Sequence, residues 1–216
     1  MRGLDLLMAN NREWSAARRA GDPGFFSRLA AQQAPGYLWI GCSDSRVPAN
    51  EIVGLDPGEL FVHRNVANVV VHTDLNCLAV LQFAVEVIRV QHVMVVGHYG
   101  CGGVKAALEA KPLGLIDNWL RHVEDVAFRH RDALNAIDDT AVRLDRLSEL
   151  NVLAQVVHVC RTTIVQDAWA RGQELAVHGL IYGLKDGMLR DLGLTRSAVE
   201  GLEDAHQGAV ERCFAS

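Results

Sequence analysis

No apolar run in this sequence is long enough to cross a membrane. Every such run falls well short of the roughly 20 residues that a membrane-spanning helix needs. The N-terminal region also lacks the pattern of a cleavable leader, because Asp5 interrupts its short apolar run and no small-residue cleavage site follows. We therefore expect no membrane partner and a cytoplasmic location.

Positive charge and paired cysteines are also scarce. The 21 Lys and Arg residues are outnumbered by 26 Asp and Glu residues, so the net charge is −5. Because nucleic acids attract basic surfaces, we expect no nucleic-acid partner. The five Cys residues are an odd number in a chain of this size, which favours reduced thiols over a disulfide framework.

Half of the 216 residues are hydrophobic, which is enough for one sizeable core. Because the sequence has no repeats and no break in composition, we predict a single domain over residues 1–216. Apolar runs in 37–110 alternate with segments of helical spacing, which is typical of a mainly parallel sheet flanked by helices. The predicted class is α/β, and 37–110 is the predicted core.

Helices are predicted before and after this core in the sequence. Residues 1–34 are predicted to form two helices, which we interpret as an N-terminal helical arm that packs on a neighbouring subunit. The C-terminal part, 111–216, is predicted to contain helices and one hairpin. These elements are helices near 115–133, 146–171 and 195–213 and a hairpin turn at Lys185-Asp186-Gly187.

Metal-binding residue types follow two of the predicted strands. Cys42 and Asp44 come after the first strand, and His98 and Cys101 come after the third. Ligand sites in open α/β sheets lie beyond the carboxyl ends of strands, so we expect these four side chains to converge. Cys, His and carboxylate are the usual ligands of tetrahedral zinc. The sequence therefore predicts a zinc site.

The fourth ligand decides whether this site is structural or catalytic. Asp44 would close the site, whereas a water would leave an open position for chemistry. Arg46 lies two residues from Asp44 and can hold its carboxylate with two charge-assisted hydrogen bonds. Held in this way, Asp44 stays ionised and can accept a hydrogen bond from a zinc-bound water. The alternative is a surface ion pair that contributes little.

The other cysteines and histidines show no comparable pattern. We interpret Cys77, Cys160 and Cys213 as small buried hydrophobic residues. The eight histidines other than His98 are scattered, and the sequence selects none of them as a proton relay.

Three blocks of the sequence together resemble the β-class carbonic anhydrases. They are Cys42-Ser43-Asp44-Ser45-Arg46, His63-Arg64-Asn65-Val66-Ala67-Asn68 and His98-Tyr99-Gly100-Cys101-Gly102-Gly103. The resemblance extends from Asn10-Asn11 to the Asp186-Gly187 turn. It implies a dimer or a dimer of dimers with one zinc ion per subunit, and reversible hydration of CO2 to bicarbonate and a proton by a zinc-bound hydroxide.

The resemblance also implies roles for the residues of the predicted site. Cys42, His98 and Cys101 would be the fixed zinc ligands. Asp44 and Arg46 would form the catalytic dyad, in which Asp44 gates the site by moving between Arg46 and the metal.

A substrate pocket is implied by four further positions. Gly102 would offer a backbone N–H to the product. Gln33, Val66 and Phe83 would border the CO2 pocket near a dimer interface, and plain core packing is the alternative for Val66 and Phe83.

One subgroup of the family has an inhibitory bicarbonate site, and this sequence resembles it at Trp39, Arg64 and Tyr182. In that subgroup, bicarbonate favours the state in which the aspartate leaves the arginine and ligates zinc. Gly41 fits the same subgroup because it leaves room for the loop to move. We therefore expect an allosteric enzyme that low pH and high bicarbonate inhibit. Core packing is the alternative interpretation of Trp39 and Tyr182.

Two other functions fit the same ligand pattern. Some proteins with this pattern resemble hydrolases of CS2 or COS, and the bicarbonate-pocket residues favour CO2 over these substrates. A zinc-stabilised binding protein without activity is the second alternative, but such a protein would have no need of both Asp44 and Arg46.

Overall fold

A computed structural model describes residues 3–31 and 33–215. Contacts divide the chain into two compact units, with the boundary between Ala34 and Pro35. The single domain expected from the sequence stays a prediction. None of the helices in the described part of the chain is long and apolar enough to cross a membrane.

The N-terminal unit contains two helices, α1 (Leu4–Gly21) and α2 (Phe25–Ala31). Trp14 of α1 packs edge-on against Phe26 of α2, with 5.7 Å between the ring centroids. The structure describes all of α1, and no residue of this helix is buried. The apolar side chains of α1 are therefore available to a partner.

A five-stranded sheet forms the centre of the second unit, in the order β2-β1-β3-β4-β5. The strands are β1 (Tyr37–Cys42), β2 (Leu60–Asn65), β3 (His92–His98), β4 (Ala176–Tyr182) and β5 (Leu189–Arg196). The first four run parallel, and β5 pairs antiparallel with β4. The predicted α/β class with a mainly parallel sheet is confirmed.

Helices of the second unit flank this sheet. They are α3 (Ala49–Val53), α4 (Leu75–Gln82), α5 (Gly102–Leu108), α6 (Ile116–Arg129), α7 (Arg131–Asn135), α8 (Thr140–Cys160), α9 (Thr163–Ala170) and α10 (Leu202–Ala215). A 3-10 turn (Val66–Asn68) follows β2, and a π-helical segment (Phe83–Ile88) continues α4.

Strand β1, which lies between β2 and β3, is buried on both faces. Leu38 and Ile40 belong to the larger apolar core, to which α8 contributes most of its C-terminal half. Trp39 belongs to a smaller core on the opposite face, with Val47 and Val96. This two-sided burial fixes the register of β1, because a slip by one residue would exchange its two faces.

The long helix predicted near 146–171 is wrong as a single element. The chain forms α8 and then α9, and the break lies at Arg161 and Thr162. The Thr162 hydroxyl accepts a hydrogen bond from the backbone N–H of Val165 and so caps the start of α9.

At the C-terminal end the prediction is partly confirmed. The hairpin turn at Lys185-Asp186-Gly187 connects β4 and β5, as expected. The surface helix predicted over 195–213 is wrong at its start, because β5 continues to Arg196 and α10 begins only at Leu202. Pairing with β4 extends the strand beyond the point that local sequence indicates.

Partly buried histidines predict a loss of stability in mild acid. Burial lowers the pKa of His158, His178 and His206 below the ordinary histidine value. Such groups bind fewer protons in the folded chain than in the unfolded chain, so stability is lost as pH falls below about 6.5. We expect the melting temperature, measured by calorimetry, to drop by several degrees between about pH 7.5 and 5.5.

The melting temperature of the variant His158→Gln should depend less steeply on pH, because one of the contributing groups is then absent. A melting temperature that stays constant or rises as the pH is lowered over this interval would contradict the expectation.

Candidate metal centre

Two neighbouring parallel strands place the predicted zinc ligands side by side. Cys42 is the last residue of β1, His98 is the last residue of β3, and Cys101 immediately precedes α5. The ligand atoms of these three buried residues lie within 4.8 Å of one another. The structure thus brings together residues that are 59 positions apart at the extremes of the site.

The two sulfur atoms have the spacing of a metal-bound pair. Cys42 Sγ lies 3.8 Å from Cys101 Sγ, and two thiolates on a tetrahedral zinc ion are about 3.8 Å apart. The pKa of Cys42 is lowered to about 4 because its sulfur accepts a hydrogen bond from the Cys101 thiol. The pKa of Cys101 is raised for the same reason. One thiolate therefore forms readily, and ionisation of the second requires a nearby cation.

The His98 imidazole is oriented for metal binding. Its Nδ1 lies 3.1 Å from the backbone carbonyl oxygen of Tyr99, which assigns the proton to Nδ1. Its Nε2 is buried and has no hydrogen-bond partner among the described residues. A lone pair on Nε2 beside two thiols fits a divalent ion, and two sulfurs with one imidazole nitrogen are a donor set that zinc prefers.

Asp44 lies between Arg46 and the three ligands. Arg46 donates from Nε to Asp44 Oδ1 at 2.9 Å and from a terminal nitrogen to Oδ2 at 2.6 Å. These hydrogen bonds hold the pKa of the Asp44 carboxyl far below its usual range, so the group is ionised. Oδ2 is also only 3.7 Å from His98 Nε2. The same carboxylate oxygen thus faces both the guanidinium and the candidate metal site.

The loop that carries Cys42 and Asp44 is attached to β2. Arg64 Nε donates a hydrogen bond of 2.8 Å to the carbonyl of Cys42, and a terminal nitrogen of Arg64 donates to the carbonyl of Asp44. The backbone N–H of Ser43 donates to the carbonyl of Asn65 at 2.8 Å. The position of the loop therefore depends on the Arg64 side chain.

The three residues of the predicted bicarbonate pocket share one region of the sheet. Trp39 is fully buried, and the partly buried Tyr182 packs against the same small core. The Trp39 indole folds over Gly41, where an added Cβ would lie 2.2 Å from Nε1. Gly41 pairs in register with Arg64, so Arg64 points to the same face. Gly41 thus makes room for Trp39 beside Arg64.

The four residues predicted for the substrate pocket lie in different places. Gly102 opens α5 next to Cys101, and Val66 packs beside Gly103, where an added Cβ would lie 2.9 Å from Val66 Cγ1. Phe83 is 44% exposed and stacks on Phe61 of β2. Gln33 is an exposed residue of the N-terminal unit. Their roles at the pocket stay predictions.

A buried network behind His98 was not predicted from the sequence. The Tyr99 hydroxyl donates a hydrogen bond of 2.6 Å to Glu149, and Arg146 lies 2.7 Å from the other carboxylate oxygen. Glu149 is only 5% exposed. Its sequence signal was a charged Arg-x-x-Glu pair at the start of an otherwise apolar helical run. This network anchors the residue whose carbonyl orients the His98 ring.

Comparisons with known proteins agree with this geometry. The family model described as carbonic anhydrase matches residues 37–189, which include the candidate ligands. A carbonic anhydrase of Emericella nidulans is 50% identical over 190 residues, covering 88% of this chain and 83% of the relative.

Solved structures show the same similarity. The β-carbonic anhydrase of Coccomyxa, solved in complex with acetazolamide, has a TM-score of 0.86 and 39% identity, covering 100% of this chain and 98% of that chain. One of two tetrameric β-carbonic anhydrases from Sordaria macrospora has a TM-score of 0.85 and 38% identity, covering 89% of this chain and 98% of that chain.

The network behind His98 predicts an effect of Tyr99 on metal affinity. Tyr99→Phe removes the hydrogen bond to Glu149 and frees the segment whose carbonyl orients His98. We expect the dissociation constant for zinc to rise about tenfold, the lower end of the range for outer-shell partners. Competition with a chromophoric chelator measures this constant.

Tyr37→Phe is the matched control, because Tyr37 lies at the opposite end of β1 and is partly exposed. It should bind zinc as the unaltered chain does. Equal zinc affinities in Tyr99→Phe and Tyr37→Phe would show that Tyr99 does not support His98 as a ligand.

Proposed function

The chain belongs to the β-class carbonic anhydrase family, whose enzymes are lyases, and we propose that it hydrates CO2 reversibly to bicarbonate and a proton. In this proposal Cys42, His98 and Cys101 hold one zinc ion per subunit. The observation that carries it is the buried pair of sulfurs 3.8 Å apart beside an imidazole nitrogen that has no hydrogen-bond partner within 3–31 and 33–215. This donor set fits zinc and leaves a fourth position open.

Zinc at such a site supplies a water ligand whose pKa falls to about 7, so that a nucleophile is available at neutral pH. Asp44 orients this nucleophile as an acceptor, because its Oδ2 is the carboxylate oxygen nearest His98 Nε2. Arg46 keeps Asp44 ionised and away from the fourth position. CO2 is small and uncharged, so catalysis depends on positioning rather than on a large recognition surface.

The same geometry allows Asp44 to close the site. Its Oδ2 is 3.7 Å from His98 Nε2, so Asp44 could leave Arg46 and serve as a further ligand to a metal held by Cys42, His98 and Cys101. A water ligand would then be excluded. Asp44 and Arg46 are therefore proposed as a gate as well as a catalytic dyad.

Bicarbonate is the proposed inhibitor that favours the closed state. Trp39, Arg64 and Tyr182 offer an indole N–H, a guanidinium and a phenol on one face of the sheet, which suits a small oxyanion. An anion bound there would compete with the carbonyls of Cys42 and Asp44 for the Arg64 guanidinium. Release of these carbonyls would free the loop that holds Asp44 in place.

We further propose that the chain forms a homo-oligomer, a dimer or a dimer of dimers. The tetrameric relative from Sordaria macrospora and the exposed apolar side chains of α1, such as Leu4 at 72%, support this proposal. Gln33, Val66, Phe83 and Gly102 would then border the substrate pocket.

Stopped-flow CO2 hydration tests the proposed activity directly. The zinc-loaded chain should exceed the buffer rate at about pH 8.5, and Asp44→Asn should lower kcat/KM about 100-fold or more while zinc content is unchanged. Cys42→Ser should lose the zinc ion of this site and, with it, the activity. Cys160→Ser, a change at another buried cysteine, serves as the control with zinc and activity retained. A zinc-loaded chain with no rate above buffer would instead support a binding protein without activity.

Trp39→Phe tests the proposed bicarbonate site, because it removes the indole N–H and keeps most of the apolar volume. We expect weaker inhibition by bicarbonate and a rate that declines less as pH falls from about 9 to 6.5. Trp14→Phe, in the N-terminal unit, is the matched exchange that should leave both unchanged. Inhibition by bicarbonate that is identical in Trp39→Phe and the unaltered chain would rule out this pocket.

A further inference from the structure

A second group of metal-binding side chains lies on the opposite side of β2 from the Arg64 guanidinium. His63 is on β2, Asp74 is the N-cap of α4, and Cys77 is in the first turn of α4. Their ligand atoms lie within 4.8 Å of one another. We propose that His63, Asp74 and Cys77 bind a second divalent metal ion of the borderline class to which zinc belongs.

The donor set and its burial suit such an ion. One nitrogen, one oxygen and one sulfur are all ligand types that zinc accepts, and ligand atoms on a tetrahedral zinc ion are about 3 to 4 Å apart. Small side-chain rotations bring the three atoms to this separation. His63 and Cys77 are 6% and 1% exposed, whereas Asp74 is partly exposed. Asp74 therefore marks the side from which an ion and a water ligand can enter.

The protonation states are compatible with metal binding. Burial lowers the pKa of His63, so this imidazole is neutral and carries a lone pair. Burial raises the pKa of the Cys77 thiol to about 12, so the thiol keeps its proton until a metal arrives. Binding then breaks the S–H bond, forms a sulfur–metal bond and releases one proton to solvent.

Few existing contacts oppose this binding. His63 Nε2 lies 3.3 Å from the side-chain nitrogen of Asn65, which is a long contact. The Asn65 amide is held independently by two hydrogen bonds to Val69, of 2.7 and 2.8 Å. Asp74 Oδ1 accepts a hydrogen bond from the backbone N–H of Asn76, which leaves Oδ2 for a metal.

A metal at this place would tie β2 to the start of α4. His63 directly precedes Arg64, whose guanidinium holds the carbonyls of Cys42 and Asp44. The second ion would therefore stabilise the strand that positions the loop of the first site. Its binding does not depend on CO2 hydration, because the two sites share no ligand.

Metal analysis of the full chain tests the proposal. After dialysis against excess zinc and removal of free ion, elemental analysis should find about two zinc ions per unaltered chain and about one per Cys77→Ser chain. Cys160→Ser, a matched change at a buried cysteine, should keep two. A single zinc ion per unaltered chain would overturn the proposal.

Asp74→Asn provides a second test if Cys77→Ser fails to fold. Asn is as good an N-cap as Asp, so α4 keeps its start while the carboxylate is lost. In cobalt titrations of the unaltered chain, the second equivalent should add the near-ultraviolet charge-transfer band of one thiolate. In Asp74→Asn the dissociation constant of the second cobalt equivalent should rise at least about tenfold. If the second cobalt equivalent gives a band of the same intensity and binds with the same affinity in Asp74→Asn and in the unaltered chain, these ligands would be excluded.

CO2 hydration by folded Cys77→Ser separates the two sites. Activity close to that of the unaltered chain, together with one zinc ion less, would assign the lost ion to the second site. Loss of activity with zinc content unchanged would count against a separate site at Cys77.

Discussion

The closeness of two buried sulfurs is the constraint on which the rest of the metal centre depends. Cys42 and Cys101 lie 3.8 Å apart, and two thiolates at this distance repel each other strongly in a poorly hydrated interior. A divalent cation removes this repulsion. His98 Nε2 lies beside the sulfurs and has no hydrogen-bond partner in the described part of the chain, although an unpaired buried nitrogen is unfavourable by itself. Binding of the proposed metal would offset both penalties, so folding and metal affinity would be coupled.

Strand β2 connects the two candidate metal sites. Successive side chains of a strand point to opposite faces, so Arg64 reaches the loop of Cys42 while His63 faces the start of α4. A shift of this strand would move both side chains together. The carbonyl of Asn65 adds a backbone attachment to the same loop. The geometry at the proposed gate therefore depends on how firmly β2 is packed, and not only on the residues that touch the reacting groups.

Local patterns in the sequence were sufficient to predict the ends of the strands, but they were insufficient to predict contacts between residues far apart in the chain. The meeting of Cys42, His98 and Cys101 was predictable because the first two lie at the ends of apolar strands and the third follows three residues after His98. The contact of Tyr99 with Glu149 was not, since it joins residues 50 positions apart whose meeting depends on how α8 packs. The end of β5 at Arg196 was missed for a similar reason. Pairing with β4 brings Thr195 opposite His178 and extends β5. The local sequence of β5 does not indicate this contact.

The exposure of Arg46 supports the proposal that Asp44 serves as a gate. The Arg46 side chain is 59% exposed and that of Asp44 only 16%, so water screens one side of the ion pair and weakens it. A fully buried pair would hold Asp44 permanently, because separating it would leave an uncompensated charge. A fully exposed pair would leave the carboxylate without a fixed position. The proposed gate requires that the two positions of Asp44 at the rim of the site differ little in free energy, so that one small anion at Arg64 would be enough to change which of them is occupied.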